Sequence, residues 1–586
     1  MAQSFETLSQ LLEQSAGKFK DNDLFGTKQP DGSWTWLSYG DFAQMVARCR
    51  AGFRALGIGY NDRVAIVADN RVEWAAAAFA SYGIGAQFVP MYPAQPPKEW
   101  EYILGDCNPK LVLASGGAHT EMQAIVARVG HAARVIGLDL PEADEASFRA
   151  LLATEGNAEL HPVTGKDIAG LVYTSGTTGS PKGVMLSHSN FCTNVIASGS
   201  RFEFDQTDRA LCFLPWAHSY GQTAELYTFI SVGCSMAIND EVPNLVDNLA
   251  VVKPTVLVAV PRIFNRIYDR VNKQMDSRPA LIRKLFTSAI EAATAKSQGK
   301  PVSWLQGVSL NLANKLIFKK VRARFGGRLR FVVSGSAALS TEVAQFIDAL
   351  GIDVFEGYGL TETSPVASTN YPHNRKIGSV GKALPGVSLR IDKEVTGEDK
   401  IGEIIISGPN VMQGYYNKPE ETAAVLLPDG GFRTGDLGYL DDEGYLYITG
   451  RIKEQYKLET GKYVAPSVLE EQLKLSRYIL NVMLYGANKP YNVALVVLDV
   501  DALKDWAAST GTTLGDPTDS EVVRTLIKDE LAHYGADFRN YERPSKFVLI
   551  ADDFTQENGM LTPSLKLKRR HVLAKYESAL EALYSK

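Results

Sequence analysis

The chain holds only five cysteines in 586 residues, Cys49, Cys107, Cys192, Cys212 and Cys234, and no two form a CxxC pair. Such an odd, scattered set supports neither a zinc site nor a disulfide framework; it reads as buried apolar thiols in a reducing compartment. No uninterrupted apolar run approaches the ~20 residues that a bilayer-spanning helix needs. The opening MAQSFETLSQ lacks a basic segment followed by an apolar stretch, and the closing ALYSK is not a peroxisomal address. A cytoplasmic protein is the expectation. Positive charge is not in excess: the formal charge is −5. Without an overall positive field to gather phosphates, nucleic acid is excluded as a general partner. Internal repeats, low-complexity tracts and a GxSxG nucleophile elbow are likewise missing.

What is present is a soluble globular balance, 45% hydrophobic and 22% charged, on a chain too long for one hydrophobic core. Short apolar runs alternate with longer helical patterns, the signature of βαβ units and parallel-rich sheets, so the fold class expected is α/β. VAIVA (64–68) predicts a buried strand and VEWAAAAFASYGIGA (72–86) the helix after it. LVLA (111–114), LVYT (171–174), VLVAV (256–260) and FVVSG (331–335) predict further strands, the last leading to a helix from near Ser340. From about 375 the texture changes to short, Gly-punctuated strands suited to a small antiparallel sheet or barrel. After Gly450 it becomes mixed α and β. We therefore expect an N-terminal domain over 1–450 and a small C-terminal domain over 451–586, with the boundary at 449–453.

The most informative stretch is Tyr173-Thr-Ser-Gly-Thr-Thr-Gly-Ser-Pro-Lys-Gly-Val184. An apolar strand runs directly into a loop of hydroxyls, glycines and one lysine. Glycines let backbone N–H groups close on an anion, hydroxyls add donors and Lys182 adds a mobile positive charge. This is a polyphosphate cradle by composition, formed by Thr174, Ser175, Gly176, Thr177, Thr178, Gly179 and Lys182. It is not the common P-loop, because Pro181 and Gly183 stand where GxxxxGK[ST] requires Gly and Ser or Thr.

YTSGTTGSPKGV resembles the signature of the adenylate-forming superfamily, which comprises acyl-CoA synthetases, luciferase-like enzymes and peptide-synthetase adenylation domains. Further motifs follow in that family's order over essentially the whole chain. Glu356-Gly357-Tyr358-Gly359-Leu360-Thr361-Glu362 sets an aromatic ring on a tight turn and a hydroxyl beside a carboxylate. The resemblance implies that Tyr358 stacks on adenine, Thr361 touches the α-phosphate and Glu362 binds Mg²⁺, with Thr174 completing the metal site. Gly335-Ser336 and His218 (in LPWAHSYG) resemble segments that line the acyl pocket. Asp436, in RTGD, and Arg451 resemble the pair that closes the nucleotide site, with Lys453 at the family's hinge. Near the C-terminus, LTPSLKLKRR places Lys566 at the family's adenylation lysine. Leu565 replaces the glycine usual before it, and Lys568 is the competitor. Gly461 and Lys462 resemble the segment that lines the path of an incoming thiol.

The activity implied uses ATP and Mg²⁺ to convert a carboxylic acid to acyl-AMP, and then passes the acyl group to coenzyme A. KLETGKYVAP (457–466) and the helical insertion at 262–330 resemble the long-chain fatty acyl-CoA synthetase branch. A carrier-protein phosphopantetheine as acceptor and an aromatic acid as substrate remain alternatives. Within the insertion, residues 315–330 carry Lys315, Lys319, Lys320, Arg322, Arg324, Arg328 and Arg330 and no acidic residue. That stretch suits peripheral contact with anionic lipid, or is a solvated basic helix face.

Overall fold

The computed structural model describes residues 4–174, 180–276, 278–297, 300–396, 399–562 and 566–585, except for the side chains of two helical residues, 266 and 276. A seven-stranded sheet orders Gly414–Tyr415, Lys182–Ser187, Ile168–Thr174, Gln87–Met91, Arg63–Val67, Leu111–Ala114 and Arg134–Gly137. Its strands from Ile168–Thr174 to Arg134–Gly137 pair in parallel. Side chains leave it alternately: Val64, Ile66 and Phe88 enter one core, Ala65, Val67 and Val89 another. A strand covered on both faces has no position left for a polar residue, which is why these segments are continuous apolar runs.

A second sheet pairs Val256–Ala259, Phe331–Ser334 and Asp353–Gly359 in parallel, then turns antiparallel through Val366–Thr369 and Lys382–Ala383. Val256, Val258 and Phe331 share the first core, while Leu257, Ala259 and Val332 pack against the helical insertion. That insertion is Pro261–Asp276, Ala280–Ser297, Trp304–Ala313, a π-type segment Asn314–Phe318 and Lys319–Arg324. A third, mixed sheet joins Trp34–Ser38, Asp23–Lys28, Ser235–Ile238 and Arg209–Cys212.

The texture change near 375 corresponds to a four-stranded antiparallel sheet of Ser388–Asp392, Gly402–Ser407, Phe432–Leu440 and Leu446–Arg451. Beyond it, Ile479–Tyr485, Asn492–Leu498 and Pro544–Ile550 form a three-stranded sheet with helices Pro466–Leu473, Val500–Thr510, Glu521–Tyr534 and Arg569–Ala582. The two cores flanking this sheet draw their buried residues from position 469 onward. Arg569 forms a bidentate pair with Glu470, whose Oε1 also accepts from the Leu484 backbone N–H at 2.6 Å, tying the last helix to the first.

The strands expected at 64–68, 256–260 and 331–335 each end one residue earlier, and the helix expected over 72–86 ends at Gly83. Ser340 precedes the helix Thr341–Ala349, as its position predicts. Among the described residues no helix is long and apolar enough to cross a membrane. The basic stretch 315–330 is not uniformly free for lipid. Arg322 donates to the Leu350 carbonyl and to Asn314, and Arg330 pairs with buried Asp208 at 2.8 Å.

Candidate active site

Ile168–Thr174 and Lys182–Ser187 form an antiparallel hairpin in which Thr174 stands opposite Lys182. The phosphate-loop residues Ser175, Gly176, Thr177, Thr178 and Gly179 lie outside the described residues. Gly183 lies so close to the Tyr173 ring that a Cβ there would meet it at 2.9 Å. The Tyr173 hydroxyl donates to Asp106 at 2.6 Å, which pins the ring. The hairpin mouth is thereby braced where an anion would enter.

A cavity of ≈ 530 Å³ opens at this mouth, within the usual size of small-molecule sites. It is lined by Thr174, Lys182, Thr361, Glu362, Arg451, Lys453 and Lys566 together with Phe202, Phe204, Val258 and Val333. His218, Gly335, Ser336, Gly357, Tyr358 and Gly359 also line it. One cavity thus combines a cationic, hydroxyl-rich group of side chains with an apolar group.

In the polar group, the Lys182 ammonium sits 4.7 Å from the centre of the Tyr415 ring, whose hydroxyl donates to Glu362 Oε1 at 2.8 Å. Tyr415 thus spaces the cation from the carboxylate and keeps the two from neutralising each other. Thr361 Oγ1 is 3.1 Å from Ser219 Oγ. Gly359 is obligatory: a Cβ there would lie 1.7 Å from the Pro365 carbonyl oxygen. Tyr358 donates to Asp436 Oδ2 at 2.7 Å, and Arg451 Nε donates to Oδ1 at 2.6 Å.

Lys566 arrives from the C-terminal segment, its exposed surface facing the cavity. Burial and the neighbouring Arg451 lower its pKa, while Asp436, Glu362 and Glu454 oppose that shift. Lys568 lies elsewhere, pairing with Glu99 at 3.3 Å. The structure therefore separates the two candidate lysines and brings Lys566 to the cavity. His218 accepts from the Tyr220 N–H on Nδ1 at 3.1 Å, leaving Nε2 to carry its proton. Burial first, and the Lys566 charge second, push its pKa down to about 4. It is a neutral wall residue near pH 7.

Among the described residues, four expected ones do not line the cavity. Glu356 is buried beneath its floor, accepting from the Gly378 N–H at 3.3 Å, and burial pushes its carboxyl up to about 8. Asp436 sits behind the wall with both carboxylate oxygens engaged by Tyr358 and Arg451. Gly461 and Lys462 form the turn between Tyr456–Lys457 and Tyr463–Val464, with the Lys462 ammonium over the Tyr541 ring at 4.6 Å. In this arrangement the C-terminal segment presents Lys566, and the presumed thiol segment is turned elsewhere.

Sequence reasoning missed Tyr415, Tyr220 and the Phe202–Phe204 pair. Tyr415 follows Gly414 in a two-residue strand paired to the phosphate hairpin, too short for any periodic signal. Tyr220 lies only two residues beyond His218, yet its role depends on Gly335, more than a hundred residues away.

Among the described residues no cluster of three or more His, Cys, Asp or Glu could hold a metal. Mg²⁺ is commonly held by one or two carboxylates together with substrate phosphates and water. Glu362, which lines the cavity with Thr361 and Thr174, is a carboxylate of the kind that donor set uses.

Comparison with known proteins agrees with this geometry. Over 573 residues, covering 95% of this chain and 93% of that protein, it is 33% identical to the long-chain-fatty-acid–CoA ligase FadD15 of Mycobacterium bovis. It is 31% identical to the peroxisomal long chain acyl-CoA synthetase 7 of Arabidopsis thaliana, covering 97% of this chain and 85% of that protein. In fold it is similar to the adenylation domain of a carboxylate reductase from Mycobacterium chelonae, with TM-score 0.79, 23% identity and coverage of 99% and 91%. The profile described as AMP-binding enzyme matches residues 12–416, and the chain belongs to that adenylate-forming family.

Proposed function

We propose that this protein is a fatty acyl-CoA synthetase: it adenylates a medium- to long-chain fatty acid with ATP and transfers the acyl group to coenzyme A. The observation that carries the reading is the mixed lining of one cavity, which brings Lys182, Glu362 and Lys566 together with Phe202, Phe204, Val258 and Val333. A fatty acid has the same polarity, one carboxylate on an apolar chain. The names of its relatives, long-chain acyl ligases, point the same way.

In the first half-reaction a carboxylate oxygen attacks the α-phosphorus of ATP. A new O–P bond forms as the bond to pyrophosphate breaks, and the electron pair leaves with pyrophosphate. No general base is required, since a carboxylate is ionised at pH 7. Lys182, Thr361 and Lys566 face the charge that grows on the phosphoryl oxygens and the leaving group. Tyr358 offers the adenine a flat face, held in place by Asp436. Bound at Glu362 with Thr174 nearby, Mg²⁺ would supply Lewis-acid neutralisation of the phosphates. In the second half-reaction the thiol loses its proton to solvent, the sulfur bonds to the acyl carbon, and the mixed-anhydride C–O bond breaks with its electron pair leaving on AMP.

Lys566 occupies the cavity during adenylation, so the thiol needs a different arrangement. Rotation of residues 451–586 about Lys453 withdraws Lys566 and brings Gly461 and Lys462 toward the site. The separate cores beyond residue 469 support such rigid-body movement.

The test is release of pyrophosphate and AMP from MgATP across acids of graded chain length, with aromatic acids included. Each acid is offered with coenzyme A or with a holo-carrier protein. Turnover should rise into the long-chain range and require coenzyme A. Preference for aromatic acids or for the carrier protein, or release of ADP, would reject the reading.

A further inference from the structure

The first helix of the insertion, Pro261–Asp276, is fixed on one side and touched by the C-terminal segment on another. It buries Phe264 and Val271, with Ile267, Tyr268 and Met275 partly buried against the same core. That spacing is a single apolar stripe. The core also holds Leu257 and Val332, whose strand neighbours Val258 and Val333 line the cavity. Tyr268 donates to Glu342 on the helix Thr341–Ala349, a second tie. The helix is therefore anchored with respect to the cavity.

From the C-terminal segment, Leu475 is buried in the insertion's own core, and Tyr534 packs against both that core and a C-terminal one. Lys273 pairs with Asp505. One helical turn before Lys273, and so on the same side, stands half-buried Asp269. The charges around it are Asp499 and Arg477 of the C-terminal segment and Glu342 of the helix Thr341–Ala349, with Tyr534 also close. Asp499 is itself committed as the cap of the helix Val500–Thr510. Burial first, and Asp499 second, push the Asp269 carboxyl up to about 7; Arg477 opposes the rise and Glu342 adds to it. We propose that the helix Pro261–Asp276 is a proton-controlled latch: it holds residues 451–586 with Lys566 at the cavity while Asp269 is protonated, and loosens when Asp269 ionises against Asp499 and Glu342. The inference rests on the rotation of that segment proposed above.

The sign follows from which arrangement binds the proton more tightly. When the segment swings away, Asp269 loses Asp499 and its cover, and its pKa returns toward the ordinary carboxylate range. The latched arrangement therefore holds the proton more tightly, is favoured below about pH 7, and loses ground as pH rises through that value. Adenylation, which needs Lys566 at the cavity, gains on the acid side. Thioester formation, which needs Lys566 withdrawn, gains on the alkaline side. Lys273 and Asp505 are both largely exposed, so their pair adds a modest, salt-screened hold that does not depend on this proton.

The test measures the two half-reactions separately on the full chain, between about pH 6 and about pH 8.5. One is ATP–pyrophosphate exchange with a fatty acid; the other is thioester formation from supplied acyl-AMP and coenzyme A. Asp269→Asn fixes the neutral state. Near pH 8 its exchange should be about fivefold above the wild type and its thioester formation lower, the two proteins converging near pH 6. Lys273→Glu, set against Asp505, should lower exchange about threefold while sparing thioester formation, and combining it with Asp505→Lys should restore exchange. Identical pH profiles for the wild type and Asp269→Asn would overturn the proposal. So would a Lys273→Glu defect that strikes both half-reactions alike or that the charge swap fails to repair. The rotation itself fails if Lys566→Ala impairs both half-reactions equally; if Lys566→Ala is selective and Asp269→Asn silent, the latch alone fails.

Discussion

Lys566 and Lys568 are chemically the same and two positions apart, yet one faces the cavity and the other pairs with Glu99. Motif position favours Lys566 but, with Leu565 in place of glycine, leaves Lys568 as a rival; the side-chain destinations separate them. Replacing Lys566 with alanine removes a preorganised donor from the departing phosphates. We expect ATP–pyrophosphate exchange to fall about 10²–10³-fold, with thioester formation from supplied acyl-AMP largely spared. Equal loss in both half-reactions would reject an adenylation-specific role. The same scale shows what motif reading overstates: Glu356 lies inside a nucleotide motif, but its side chain is buried below the floor.

At the scale of elements, the strand Phe331–Ser334 delivers Gly335 flat against the Tyr220 ring, where a Cβ would lie 2.9 Å from Cζ. The Tyr220 hydroxyl donates to the Val333 carbonyl at 3.2 Å, so the ring is held at its far end and cannot easily yield. Gly335→Ala should therefore narrow the cavity where the acyl group binds, weakening acid binding by about 1–3 kcal/mol, as overpacking does. The check is KM for the fatty acid against KM for ATP; equal increases would place Gly335 outside the acyl path. The strand itself was legible because its apolar run is covered on both faces. Its partner Tyr220 was not, because no local pattern records which ring a distant strand end will meet. Tyr415 escaped for a related reason, lying in a two-residue strand that gains meaning only beside the phosphate hairpin.

At the scale of the whole molecule, the Glu99–Lys568 pair links the helix Pro97–Cys107 to the C-terminal segment that carries Lys566. A half-buried pair of this kind biases an orientation without performing chemistry. Lys568→Ala should slow adenylation about fivefold, the ~1 kcal/mol of a modest ion pair, and the deficit should shrink in high salt. Single-turnover rates at two ionic strengths decide this; a loss as large as that of Lys566→Ala would make Lys568 catalytic. The amino-acid sequence alone carried the family and the enzyme class, because the hydroxyl, glycine and lysine order of 173–184 and the motifs after it are specific enough to be read without a fold, and the profile match over residues 12–416 agrees. It also determined most strands, since burial on both faces demands unbroken apolar runs. Only the tertiary structure decided which lysine reaches the cavity, which carboxylates stand behind its wall and which aromatic rings shape it. Those are contacts between segments hundreds of residues apart, and local pattern carries no information about the packing that joins them.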